Sequence, residues 1–314
     1  MKNKMIIIAG PTASGKSEAG VRLAGRMNGS IISADSMQVY RGMDIGSAKI
    51  TKEEMQGIPH ELIDVADPHE DWNVVRFQKE AKEAEERIRK SGRLPILVGG
   101  TGFYIQALLY DIDFTETRKD FGFRTMLEEK AGREGPESLY RLLQERDPES
   151  AAAIHPNNIK RVIRALEFSR ETGEKISDHN KEQKSRPAAY DAVYFVLTMD
   201  RDRLYRRIDL RVDRMMEEGL LDEVKRLRKE GFTSHDVSMQ GLGYKQLLQY
   251  LDGEGTLEDA VSQIKLQTRH FAKRQLTWFR REKNVVWVNR DEFDSADAML
   301  DAMEKTVRER WKEA

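Results

Sequence analysis

The sequence predicts an α/β fold, a parallel sheet flanked by helices, with a small all-helical insertion domain. Three observations lead there. Short apolar runs alternate with helical periodicity over residues 5–109, which is the pattern of strand–helix–strand units in a parallel sheet. A glycine-rich segment ending in Gly-Lys-Ser follows the first apolar run and opens the first helix. A charged stretch over 115–186 has no convincing strand, after which the apolar runs resume.

Each element has a local cause. Residues 5–9 (MIIIA) read as a buried strand, 16–27 as a helix, and 30–34 (SIISA) as a second strand ending at Asp35. Within 73–90, the run KEAKEAEERIRK sets Glu83 four before Arg87, Glu85 before Arg89 and Glu86 before Lys90. Such pairs add roughly a few tenths of a kcal/mol each to an exposed helix, so this stretch reads as a solvated helix face. Residues 94–98 (LPILV) form a strand that ends in Gly99-Gly100-Thr101 and leads into a helix over 102–109. Over 115–186, Gly132, Gly135-Pro136, Pro148, Pro156 and Gly173 punctuate helical segments. The run 192–199 (AVYFVLTM) returns to strand, followed by helices over 202–230 and 257–281, a last strand at 285–288 and an amphipathic closing helix. The expected organisation is a core of 1–114 with 187–314, and a helical insertion domain over 115–186.

Composition removes several chemistries. The 314 residues contain no Cys, which excludes disulfide frameworks, thiol nucleophiles and Cys-ligated metals and suits a reducing cytoplasm. The six His form no H-E-x-x-H or other close ligand pair. The only strongly apolar N-terminal stretch, 5–9, is too short for a membrane span or a signal sequence, so a soluble, unexported protein with no membrane partner is expected. With 53 Lys+Arg against 54 Asp+Glu the formal charge is −1, which gives no global sign of a polyanionic partner, and DNA is not expected. Locally the balance differs. Residues 265–283 hold Lys265, Arg269, Lys273, Arg274, Arg280, Arg281 and Lys283 against Glu282 alone, an excess of six.

Gly10-Pro11-Thr12-Ala13-Ser14-Gly15-Lys16-Ser17 fits G-x-x-x-x-G-K-[ST] between a strand and a helix, the context in which that motif is a P-loop. Its backbone N–H groups turn inward around phosphate, Lys16 neutralises phosphate oxygens and the Ser17 hydroxyl reaches a bound Mg²⁺. The core is therefore expected to be P-loop NTPase-like. In an ATPase the strand at 94–98 would end in Asp, but it ends in Gly-Gly-Thr. The strand that does end in Asp is the second, at Asp35. A carboxylate there, at the carboxyl edge of an open sheet, suits a general base or a metal ligand, with a turn cap as the structural alternative.

Several blocks together resemble the bacterial tRNA dimethylallyltransferase family: GPTASGKS at 10–17, SADSMQVY at 33–40, DIGSAK at 44–49, GGTGFY at 99–104, RVIRALE at 161–167 and AKRQLTWFR at 272–280. They run in order through nearly the whole chain. Departures are few: Glu61 stands where a second His is expected after Pro59-His60, Ser47 stands for the usual Thr, and the eukaryotic-type zinc finger is absent.

The resemblance implies transfer of a dimethylallyl group from dimethylallyl diphosphate to N6 of the adenosine 3′-adjacent to the anticodon, with tRNA anticodon stem-loop and dimethylallyl diphosphate as partners and Mg²⁺ as cofactor. It makes Asp35 the base, Lys16 and the rest of the P-loop the cradle for the leaving diphosphate, Thr101 a hydroxyl at the reacting centre, and Arg211 a diphosphate clamp. On the residues alone, Thr101 is equally a helix N-cap and Arg211 a surface salt-bridge residue. Ser36, Met37 and Gln38 fall beside the target base. Lys160, Arg161 and Arg164 share a helix face suited to the RNA backbone, with Arg124 a weaker contact and Lys273 and Arg274 contacts from the basic stretch. Two other classes fit parts of the pattern: a small-molecule P-loop kinase using Asp35 as base, and a nucleotide-regulated RNA-binding protein. Neither accounts for both Asp35 and the basic stretch.

Overall fold

In a computed structural model of the chain, which describes residues 2–114 and 121–312, six strands form one sheet. They are β1 (Lys4–Ala9), β2 (Gly29–Ala34), β3 (His60–Glu61), β4 (Leu94–Gly99), β5 (Asp191–Thr198) and β6 (Val285–Asn289). Every pairing is parallel, in the order β3-β2-β4-β1-β5-β6. The expected α/β class and parallel sheet are borne out. β3, which the sequence reading lacked, has two residues, too few for any periodicity.

The chain divides into two compact units, Met1–Asp111 with Ala188–Ala314, and Ile112–Pro187. In the first unit side chains alternate across the sheet, as the strand period of two requires. Ile6, Ile8, Ile31, Ile96, Val98, Phe195 and Leu197 pack on one face. They meet α1 (Lys16–Arg26) through Val21 and Leu23, and the closing helix, numbered α13 (Ala296–Arg310), through Leu300 and Met303. Met5, Ile7, Ile32, Leu97 and Val196 pack on the other. That face is covered by α2 (Val74–Lys90), α3 (Gly102–Leu109), α9 (Arg201–Glu217), α10 (Leu220–Lys229), α11 (Tyr244–Leu251) and α12 (Leu257–Phe279). The helix expected over 202–230 is two: Gly219, at φ 98°, ends α9 and caps α10, a left-handed conformation that glycine alone adopts without strain.

The second unit is helical throughout its described residues: α4 (Phe121–Glu134), α5 (Pro136–Arg146), α6 (Pro148–Ala153), α7 (Ile159–Thr172) and α8 (Ile176–Ser185). Pro136 and Pro148 sit at the first turns of α5 and α6, where a missing N–H costs no helical hydrogen bond, and Pro156 lies in the turn before α7. Leu127, Leu139, Leu143, Val162, Ile163 and Leu166 form its core. Thr115, the expected start of the insertion, lies outside the described residues.

Candidate active site

Strand register brings three chain segments to one level. Ala9 of β1 and Ala34 of β2 both align with Gly99 of β4. Gly10, Asp35 and Gly100 therefore leave the sheet side by side at its carboxyl edge. With strands about 4.8 Å apart, the P-loop and Asp35 start about 10 Å apart. The Thr101 N–H donates to the Ala34 carbonyl at 3.2 Å, which ties the β4 exit to the β2 exit.

At the P-loop, Gly15 caps α1 at φ 85° and makes no side-chain capping bond to the first-turn amides, which leaves those donors for an anion. Ser14 is fully buried and its hydroxyl has no partner among the described residues, a cost of about 1–3 kcal/mol that an anionic ligand would relieve. The Lys16 ammonium reaches the Pro11 carbonyl at 3.4 Å. Burial pushes its pKa down to about 8; Asp35 opposes that shift and the Arg211 charge adds to it. Lys16, Asp35 and Arg211 thus share one electrostatic neighbourhood.

Arg211, on α9, has no hydrogen bond or ion pair among the described residues, and burial, followed by the nearby Arg207, pulls its pKa down. A desolvated guanidinium without a carboxylate partner is a costly arrangement in an empty site and a favourable one beside an anion. The surface salt-bridge alternative does not describe it. Two arginines that sequence reasoning missed hold the loop from outside. Arg207 Nε donates to the Ala13 carbonyl at 2.9 Å, and Arg290 Nη1 donates to the Ser14 carbonyl at 3.0 Å. These bonds satisfy the two carbonyls and hold the loop backbone at Ala13 and Ser14. Arg207 stands four residues before Arg211 on one helix, a signal the sequence offered; Arg290 follows β6 and offered none.

Asp35 is half-buried, and its Oδ1 accepts the Met37 N–H at 2.9 Å. One carboxylate oxygen therefore caps a turn, and the other has no partner among the described residues. Thr101 occupies the N-cap position of α3, yet its side chain makes no capping bond, so its hydroxyl is uncommitted at the same edge. Ser36 is partly exposed; Met37 packs against the core and beside Gly241; the Gln38 amide donates to the Ala48 carbonyl at 3.1 Å. Buried Glu223 organises the segment beyond. Its carboxylate accepts the N–H groups of Asp44, Ile45 and Gly46 at 2.9, 2.9 and 3.1 Å and the Tyr244 hydroxyl at 2.7 Å.

The basic stretch is less basic than its composition. Lys265 pairs with Asp213 at 2.5 Å and Arg269 with Asp209 at 2.8 Å. Two of the seven cations are thereby answered by acids of α9, and the excess of six is a sequence count rather than a surface charge. Lys273 and Arg274 are exposed, and neither forms an ion pair among the described residues. Phe279 is core; Trp278 packs over Gly102 and meets Phe103 edge-on at 6.1 Å.

In the helical unit, Lys160 and Arg161 are exposed in the first turn of α7, with Arg164 partly buried one turn on. Arg124 of α4 makes a bidentate pair with Glu167 of α7 at 2.8 and 2.7 Å, so its guanidinium already serves this unit's own packing.

The Ser17 hydroxyl has no side-chain partner among the described residues. Among those residues no cluster of three or more His, Asp or Glu is placed to hold a metal, and no helix is long and apolar enough to cross a membrane.

Comparison with known proteins gives one answer. The family model described as IPP transferase matches residues 38–282. A tRNA dimethylallyltransferase of Lachnoclostridium phytofermentans is 53% identical over 306 residues, 98% of each chain. The crystal structure of a full-length tRNA isopentenylpyrophosphate transferase from Bacillus halodurans is 45% identical, covers 99% of both chains and superimposes with a TM-score of 0.73. A eukaryotic dimethylallyltransferase, in structures described as snapshots of its action on tRNA, is 32% identical with a TM-score of 0.85, covering 98% of this chain and 80% of that one. With a P-loop, a strand-end aspartate and a Gly-Gly-Thr turn at one sheet edge, and matches of this extent, the chain belongs to the IPP transferase family.

Proposed function

We propose that this protein transfers a dimethylallyl group from dimethylallyl diphosphate to the exocyclic N6 of the adenosine 3′-adjacent to the anticodon of a tRNA, releasing diphosphate. The observation that carries this is the union of an anion cradle and a free carboxylate oxygen at one sheet edge, about 10 Å apart at their origins. A phosphoryl-transfer enzyme would place its acceptor against the terminal phosphate; this spacing leaves room for a five-carbon group between leaving group and acceptor. The small-molecule kinase reading is not favoured, because the relatives transfer prenyl groups.

The chemistry follows from the residues. The adenine amino nitrogen is a weak nucleophile, since its lone pair is delocalised into the ring. As the nitrogen bonds to the allylic carbon, the carbon–oxygen bond to diphosphate breaks and its electron pair leaves with the diphosphate. The N6 proton passes to the Asp35 carboxylate, through the oxygen that Met37 does not occupy, a contribution of typically about 10²–10⁴-fold. Negative charge grows on the leaving group within reach of the backbone amides of Ala13, Gly15, Lys16 and Ser17, the Ser14 hydroxyl, the Lys16 ammonium and Arg211, the Ser14 N–H donating instead to the Pro11 carbonyl. Thr101 supplies a hydroxyl at the acceptor side. The donor set suits Mg²⁺ in one respect: an uncommitted Ser17 hydroxyl at the cradle is a hard oxygen ligand, the remainder coming from diphosphate and water. When bound, such an ion adds positive charge against the leaving group.

Ser36, Met37 and Gln38 would line the target base, which lies in a loop and can be splayed out without opening a duplex. Lys160, Arg161 and Arg164 of the 112–187 unit, with Lys273 and Arg274 of α12, would follow the anticodon-stem backbone, and Arg124 would act there through its pairing with Glu167. A cysteine-free chain acting on tRNA fits a cytoplasmic setting. Incubation with dimethylallyl diphosphate, Mg²⁺ and unmodified tRNA tests the function: one diphosphate appears per prenyl group fixed to RNA. Prenyl transferred to water alone, or phosphate moved from ATP to a small acceptor, contradicts it.

A further inference from the structure

One side chain of α12 reaches two of the converging segments at once. Gln275 is 7% exposed. Its Oε1 accepts the Thr12 N–H at 2.9 Å, and its Nε2 donates to the Gly100 carbonyl at 2.9 Å. Those partners lie 263 and 175 residues earlier in the chain. The amide orientation is set by its neighbours, because an N–H must meet the oxygen and a carbonyl must meet the nitrogen. The approach at Gly100 is close: a Cβ there would lie 2.3 Å from Nε2 and would displace the amide. Thr12 opens the phosphate cradle, and Gly100 immediately precedes Thr101. The β1–β4 ladder joins the two strands as far as Ala9 and Gly99; beyond it, the amide acts as a strut between the two segments.

We infer that Gln275 is a positioning residue for the transfer step, holding the diphosphate cradle and the Thr101 turn at the spacing the reaction needs. This rests on the prenyl-transfer reading. The physical basis is the sensitivity of transfer to alignment: about 1 Å of misplacement can cost 10²-fold in rate. A primary amide offers a donor and an acceptor in fixed relation, one for each end. Lysine or methionine in its place leaves at least one backbone group unpaired and removes the strut beyond the end of the β1–β4 ladder. Because the Thr12 N–H is committed to Gln275, the amide donors of the cradle begin at Ala13.

The test compares Gln275→Met, which keeps the length and loses both bonds, with Gln275→Asn, which keeps the amide on a shorter stem. Single-turnover rate constants are measured at saturating dimethylallyl diphosphate and tRNA, since a rate constant does not depend on the fraction of protein that folds. Gln275→Met is expected to slow transfer at least about 10-fold and Gln275→Asn by less, while equilibrium binding of each substrate stays within about threefold of the wild type. Rate constants within twofold of the wild type in both variants overturn the inference, as does a rate loss matched by an equal loss of substrate binding. If Gln275→Met yields no folded protein, Gln275→Asn decides on the same criteria. A wild-type enzyme that transfers no prenyl group in the parallel assay refutes the functional reading itself, a different failure from equal rates in wild type and variants.

Discussion

Lys16 makes the affinity for the diphosphate substrate depend on pH in a defined direction. Its ammonium is held down to about pKa 8 by burial, with Arg211 adding to the shift and Asp35 opposing it. The charged form binds the anion, so the attraction is present below pH 8 and is lost as the pH rises through it. With that pKa the ammonium is about nine-tenths protonated at pH 7 and about one-tenth at pH 9, so a nonreacting dimethylallyl diphosphate analogue should bind about tenfold more weakly at pH 9. Titration calorimetry over this range measures it. Lys16→Arg provides the control, because its guanidinium stays charged throughout and the ratio of the two proteins cancels the ligand's own titration. Asp35→Asn removes the neighbour that props the Lys16 pKa up, so the loss of affinity should begin at lower pH in that variant. A wild-type to Lys16→Arg ratio that is flat between pH 7 and 9 would refute the placement of a desolvated ammonium in the cradle.

Asp35→Asn keeps an acceptor for the Met37 N–H while removing the base; turnover should fall at least about 10²-fold with tRNA affinity within a few-fold, and collapsed binding with intact single-turnover chemistry would contradict the assignment. Neutralising Arg161 or Arg274 should weaken tRNA binding and reduce the slope of log K against log salt by about one per lost phosphate contact, measured by filter binding, whereas neutralising Arg269, already paired with Asp209, should change the slope less. Glu223→Leu leaves the amides of Asp44, Ile45 and Gly46 and the Tyr244 hydroxyl without their acceptor; a stability loss of about 3–5 kcal/mol is expected from the urea midpoint, and a loss below about 1 kcal/mol would count against the role given to this carboxylate.

What was legible in the sequence was local. MIIIA before GPTASGKS states strand, turn and helix within thirteen consecutive residues, 5–17, and the six strands differ from expectation only by the two-residue β3. The break at Gly219 and the short α11 were missed because one glycine inside a helical pattern is tolerated, and eight residues flanked by Gly243 and Gly253 show too little periodicity. Tertiary pairing was not legible. Nothing in the residues around Lys265 and Arg269 announces that α9 places Asp213 and Asp209 opposite them, and Arg211 looks like any charged residue on an amphipathic helix until the fold buries it without an ion-pair partner among the described residues. Thr101 shows the same limit: a cap and an uncommitted hydroxyl have one sequence, and only the geometry of α3 tells them apart. Gln275 lay inside a quoted motif, but its partners are more than 170 residues away.

The measurement that bears most directly on prenyl transfer at this sheet edge is the identity of the modified nucleoside. Unmodified tRNA is incubated with labelled dimethylallyl diphosphate and the protein, digested, and its nucleosides and fragments are mapped by mass spectrometry. Label on N6 of the adenosine 3′-adjacent to the anticodon, one per diphosphate released and lost in Asp35→Asn, is the expected result. Label on another base or on none, or full labelling by Asp35→Asn, would contradict it.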